Sequence, residues 1–168
     1  MELELKVKFM KNFSIEIISK TPQKIDGQLS YWMRITIGNF VERFLLPIEN
    51  WSLNQYFKQW EEGIERIKIK NSSCLVTAVQ NLNSMHPSIE QWVLYRENQA
   101  IFIQQQLLIN ETVQFSNKLA NFSSKTCYDF INPRKTITDE GKEISEWSCC
   151  LNDIVSWLGD DNVIANKD

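Results

Sequence analysis

Tyr31–Lys68 reads YWMRITIGNFVERFLLPIENWSLNQYFKQWEEGIERIK, and its hydrophobic pattern changes period part-way along, from two to 3.6. Gly38-Asn39 marks a two-residue turn, since both residue types tolerate the positive φ of tight hairpins. Pairing about that turn sets Ile37 opposite Phe40, Met33 opposite Phe44 and Tyr31 opposite Leu46. With Ile35 these form one apolar face that only Glu42 interrupts. The other face, Trp32, Arg34, Thr36, Val41, Arg43 and Leu45, is mixed and opposes Arg34 to Arg43, an arrangement that costs stability unless a carboxylate or other anion lies between them. Pro47 closes the strand. Ser52 followed by Gln55 has the spacing of a capping box. Leu53, Phe57, Trp60, Ile64 and Ile67, with Tyr56 at the margin, then make one helical stripe expected to lie flat on a sheet. Gly63 falls on the polar side in this reading and weakens the helix by about 1 kcal/mol relative to alanine.

Outward from this block the pattern stays mostly β. Leu3, Leu5, Val7 and Phe9 alternate with charged residues, Phe13, Ile15 and Ile17 repeat the alternation, and Pro22 with Gly27 punctuates the loop that follows. The run CLVTAV from Cys74 suits a central strand covered on both faces. Ile89–Arg96 and Ala100–Ile109 form a hairpin about Glu97-Asn98-Gln99. Residues 111–124 are ambiguous, Thr126–Ile131 reads as a last strand ended by Asn132-Pro133, and Ile144, Trp147, Leu151, Ile154, Val155 and Leu158 predict a second amphipathic helix stopped at Gly159. The expected architecture is α+β: a single domain over residues 1–168, mainly antiparallel sheet built from hairpins, with two amphipathic helices packed on it.

The chain has 168 residues, enough for a core without metals or disulfides. No apolar run approaches the roughly 18–20 residues needed to span a bilayer. MELELKVKFM has the reverse of a signal peptide's pattern, so a cytoplasmic protein is expected. Cys74, Cys127, Cys149 and Cys150 lack the paired spacings of zinc or redox motifs and read as reduced thiols, the last two adjacent on the predicted helix. The net charge of −3 is unevenly placed: residues 139–168 hold eight acids against two lysines, −6, leaving +3 on the rest. On the predicted helix Glu143, Glu146, Cys150 and Asp153 form a polar stripe, continued by Asp160 and Asp161. A solvated helix face accounts for it, and so does an electrostatically selected partner.

Residues suited to catalysis are few. His86 sits in a loop, Met85-His86-Pro87, and its being the one histidine argues against paired-histidine and multi-histidine metal chemistry. The five glycines never cluster into a phosphate-binding loop. Glu61 and Glu65 share a helix face and could serve as a carboxylate pair, although Lys58 and Arg66 nearby suit a salt-bridged surface. Arg66, Lys68 and Lys70, with Tyr31 and Trp32 near Arg34, allow an RNA-binding module, against which stand the acidic pI near 5.3 and the lack of a nucleic-acid motif. Of the six tryptophans, Trp32 and Trp51 are the candidate interface anchors.

The segment from Leu29 to Ile67, with SSCLVTAVQN at 72–81 and EQWVLYRENQAIFIQ at 90–104, resembles bacterial immunity proteins of contact-dependent growth inhibition systems, the likeness spanning about residues 13–110. The resemblance implies a protein without catalytic residues or cofactors. It implies a chain that binds the C-terminal toxin domain of a cell-surface effector, usually a nuclease, in the cytosol, in a 1:1 complex and without contacting nucleic acid or membrane. Two contact surfaces are expected to compete: the acidic set Glu143, Glu146, Asp153, Asp160 and Asp161, and the hairpin face of Trp32, Arg34 and Arg43.

Overall fold

The computed structural model describes residues 12–159; the alternation at residues 3–9 lies outside them, as do Asp160 and Asp161. The chain runs β1 (Phe13–Ile17), β2 (Gln23–Ile25), β3 (Gln28–Ile37), β4 (Phe40–Pro47), α1 (Leu53–Ile67), β5 (Ser72–Gln80), β6 (Ser88–Glu97), β7 (Ala100–Ile109), α2 (Val113–Ala120), a 3₁₀ turn (Cys127–Phe130), β8 (Trp147–Cys150) and α3 (Leu151–Leu158). The fold is α+β, with two four-stranded antiparallel sheets among the described residues. In the first, β3 pairs with β4 on one side and with β1 and β2 on the other; the second has the order β5-β6-β7-β8.

The β3–β4 hairpin has the register its turn demands: Ile37 faces Phe40, Met33 faces Phe44, Tyr31 faces Leu46 and Arg34 faces Arg43, with Gly38 at φ +58°. Its inner face packs on the second sheet. Phe40 stacks on Trp147 with ring centroids 4.0 Å apart and approaches Trp92 at 6.3 Å, while Met33, Ile35, Ile37 and Leu46 are fully buried. Trp51 is also core, stacked on Phe122 and against Tyr56, which removes it as an interface anchor.

Helix α1 starts as its sequence prescribes: the Ser52 hydroxyl accepts from the Gln55 amide and the Gln55 side chain accepts from the Ser52 amide. Its packing differs from expectation. β5 is an edge strand of the second sheet among the described residues, and α1 closes its open edge with side chains. Gln59 accepts from Val76 N–H at 2.8 Å and donates to Cys74 C=O at 2.9 Å. The Trp60 indole N–H donates to Val76 C=O at 2.7 Å, and the Tyr56 hydroxyl accepts from Val79 N–H and donates to Pro47 C=O, bridging the two sheets. An exposed edge strand invites pairing with other chains, so this edge is blocked by satisfying its main-chain groups from the helix. Burial pushes the Tyr56 hydroxyl well above its ordinary value, keeping it neutral for this role. Gly63 is no polar-face residue: a Cβ there would lie 2.5 Å from Cys74 C=O, so glycine is what lets helix and strand approach.

The C-terminal third departs most from the sequence reading. The ambiguous 111–124 segment contains α2, capped by the Thr112 hydroxyl. Thr126–Ile131 is no strand; hydroxyls of Ser123 and Thr126 bond the local backbone and wind it into a 3₁₀ turn. Only Leu151–Leu158 of the predicted second helix is helical. Trp147–Cys150 pairs with Ala100–Ile103 as β8, so Cys149 and Cys150 point to opposite faces of a strand. All four cysteines are free thiols, and burial with Asp153 nearby pushes Cys149 up to about 12.

Candidate functional site

The acidic set predicted as one helical stripe does not assemble. Glu143 is bridged to Ile137 ahead of β8, away from α3. Glu146 is half-buried and held within the chain: Arg134 grips both its oxygens, at 2.9 and 2.6 Å, Gln104 donates to it at 2.6 Å, and the same guanidinium lies 3.8 Å from the centroid of the Phe102 ring. Asp153 caps α3 by accepting from Cys150 N–H at 2.9 Å and meets the Asn12 side chain. Two of the three described acids therefore serve the fold, and the stripe fails because the helix that would have aligned them begins only at Leu151.

The Arg134–Glu146 pair fastens segment 131–146 onto the second sheet, and it sets a pH dependence. Hydrogen bonding from Arg134 holds the Glu146 carboxyl below the usual carboxylate range. A depressed acid contributes stability above its unfolded value near 4.5, and that contribution is lost as the pH falls through the lower folded value. Glu146→Gln is expected to cost about 1–3 kcal/mol at pH 7, with the gap from wild type in thermal melts narrowing toward pH 3 as the native carboxyl protonates.

The hairpin face does assemble. On the outer side of the first sheet Trp32, Arg34, Arg43, Val41 and Leu45 share one surface, with Val41 55% exposed. The opposed arginines are each accommodated within the chain: Arg34 is paired with Glu16 on β1, and Arg43 stacks over the Trp32 ring at 5.3 Å. The carboxylate that relieves Arg34 is thus the chain's own Glu16, opposite Arg34 in the β1–β3 register. Tyr31 lies on the other face of β3, so it cannot join Trp32 in a stacking platform for bases.

A second surface feature is a cleft of about 610 Å³ at the C-terminal end of α1, lined by Glu62, Glu65, Arg66, Lys68, Lys70, Lys125 and Tyr128. Its charges are largely matched internally, Lys125 to Glu62 and Lys68 to Glu65, with Arg66 stacked on Tyr128 at 4.6 Å. Among the described residues no three His, Cys, Asp or Glu side chains are placed to hold a metal ion. Gln59 and the pairing of Arg134 with Glu146 leave no mark in the sequence pattern, and Gly63, read there on the polar side of the helix, belongs to the α1–β5 contact.

A polypeptide of this kind, with many of its polar groups invested in the fold and an open aromatic–arginine sheet face, suits binding. The family model described as the CdiI N-terminal domain matches residues 46–157, two thirds of the chain. The chain belongs to this family. The immunity protein CdiI of Enterobacter cloacae is similar at 26% identity over 137 residues, 81% of this chain and 90% of that protein. A chain of the solved CdiA-CT/CdiI toxin and immunity complex from Enterobacter cloacae has a similar fold, with a TM-score of 0.76, 26% sequence identity, and coverage of 89% of this chain and 98% of that one. For this CdiI-family chain, coverage of that extent requires the first sheet as well as the matched segment.

Proposed function

We propose that this chain is the immunity protein of a contact-dependent growth inhibition system and neutralises a cognate CdiA-type toxin domain by stoichiometric 1:1 binding, without catalysis. The observation that carries the reading is the likeness over 89% of this chain, at 26% identity, to a chain of a toxin and immunity complex. No helix among the described residues is long and apolar enough to cross a membrane, and the four free thiols suit the reducing cytoplasm, where a toxin delivered into the cell would be intercepted. The toxin is read as a nuclease on charge: an acidic inhibitor, net −3, is attracted to a protein whose cleft must hold a polyanion, and such attraction raises the association rate.

The test is growth. Cells expressing the toxin domain encoded immediately upstream are expected to survive only when this chain is co-expressed, and loss of viability despite soluble expression of both would reject the reading. Within it, the Trp32–Arg43 face is a contact candidate. Trp32→Ala and Arg43→Ala are each expected to weaken toxin binding by about 1–3 kcal/mol while leaving the melting temperature within a few degrees; unchanged titration curves would remove that face.

A further inference from the structure

β8 pairs with only Ala100–Ile103 of β7, so from Gln104 to Ile109 that side of β7 has no strand beside it among the described residues. Leu151 N–H donates to Gln99 C=O on this side, and the β6–β7 ladder continues without a shift. The main-chain N–H and C=O groups of Gln105, Leu107 and Ile109 therefore point outward, in the direction a further strand would occupy. Native proteins guard such edges with charge, proline or a covering element, as α1 guards β5. Gln105–Ile109 has neither charge nor proline, and it presents Leu107 at 55% and Ile109 at 44% exposure.

The same sheet face is marked electrostatically. Glu90 lies directly across from Leu107, and Glu42, the one polar residue on the inner face of the β3–β4 hairpin, is near enough to oppose its charge. Neither carboxylate has an ion-pair partner among the described residues. Burial first, and Glu42 second, push Glu90 above the usual carboxylate range. Two half-buried acids close enough to repel, with no cation beside them among the described residues, are an unfavourable arrangement that an incoming ammonium or guanidinium would relieve.

We propose that the free edge of β7 at Gln105–Ile109 is a docking element for the toxin domain, which adds an extended segment as a further strand and directs a basic side chain toward Glu90 and Glu42. Main-chain pairing supplies affinity, and Leu107, Ile109 and the two acids supply selection. A second copy of this chain fits less well, because its own Gln105–Ile109 edge brings no cation. The inference rests on the immunity reading and is independent of the Trp32–Arg43 face.

The experiment is amide hydrogen exchange on the full chain, alone and with the catalytically inactivated toxin domain encoded upstream. Protection of the Gln105, Leu107 and Ile109 amides by at least ten-fold in the complex is expected. Leu107→Pro, which removes an outward N–H, and Leu107→Lys, which sets the chain's own ammonium across from Glu90, should each weaken binding at least ten-fold without lowering the melting temperature; Glu90→Gln should weaken binding and flatten its salt dependence. Complex formation without protection at these amides, or with protection confined to β3 and β4, overturns the docking element and leaves the immunity reading intact. Failure of the wild-type chain to bind the toxin domain overturns both. A dimer of the chain alone that Leu107→Lys dissociates, with no effect on toxin binding, assigns the edge to self-association and rejects the proposal.

Discussion

Replacing Gln59 with leucine is expected to destabilise the protein by about 2–6 kcal/mol, although the substitution keeps the side chain's volume and makes it more apolar. Gln59 is fully buried, and its amide completes two main-chain groups at the outer edge of β5, the N–H of Val76 and the C=O of Cys74. It also donates to the Tyr128 hydroxyl, tying the 3₁₀ turn to the helix. Leucine satisfies none of these, and each buried main-chain group left without a partner costs about 1–3 kcal/mol, more than the added apolar area returns. Urea denaturation of Gln59→Leu beside wild type measures the loss. A change under about 0.5 kcal/mol would mean that the β5 edge is completed in some other way.

Gly63→Ala gives a test of sign. Helix propensity alone favours alanine by about 1 kcal/mol, and a helix with Gly63 on its solvent side would be stabilised. A Cβ at this position meets Cys74 C=O at 2.5 Å and the Leu75 side chain at 3.1 Å. Main-chain carbonyls cannot step aside as a flexible side chain can, so α1 must lift from β5, stretching the bonds that Gln59, Trp60 and Ser73 make across the contact. Overpacking of a tight core costs about 1–3 kcal/mol, and the net expectation is destabilisation by roughly 1–3 kcal/mol, with Gly63→Val worse. Stabilisation by Gly63→Ala would place the residue back on the polar face.

These two positions also mark where sequence legibility ends. The hairpin and the start of α1 were readable because their determinants are local: a Gly-Asn turn fixes the register of every pair behind it, and a capping box fixes the first turn of a helix. The span of α1's contact was not. Gly63 is one turn from Trp60 and Ile67 on the buried side, but without a Cβ it contributes nothing to a hydrophobic pattern, and Gln59 counts as polar in any such pattern though it is fully buried. β5 read as a central strand because it is apolar on both faces, yet what buries it on its open side is a helix rather than another strand. Trp147, Leu151 and Ile154 are spaced by four and three, as a helix would space them, while Trp147–Cys150 is claimed by pairing with β7, a long-range event that no local period reports. The acidic stripe depended on that helix and went with it. Trp32 and Arg43 could be placed on an open face because strand alternation settles their side of the sheet; that Glu16 would meet Arg34 required knowing that β1 pairs with β3.

What unites these features is a scaffold that completes the main-chain groups at the β5 edge with its own side chains and leaves a limited set of surfaces for a partner. Isothermal titration of the purified chain against the inactivated C-terminal toxin domain encoded beside it tests that account most directly. The account predicts a saturable 1:1 complex, tight enough to survive gel filtration, whose formation abolishes the active toxin's effect at equimolar ratio; no heat of binding and full toxin activity in the presence of excess folded chain would contradict it.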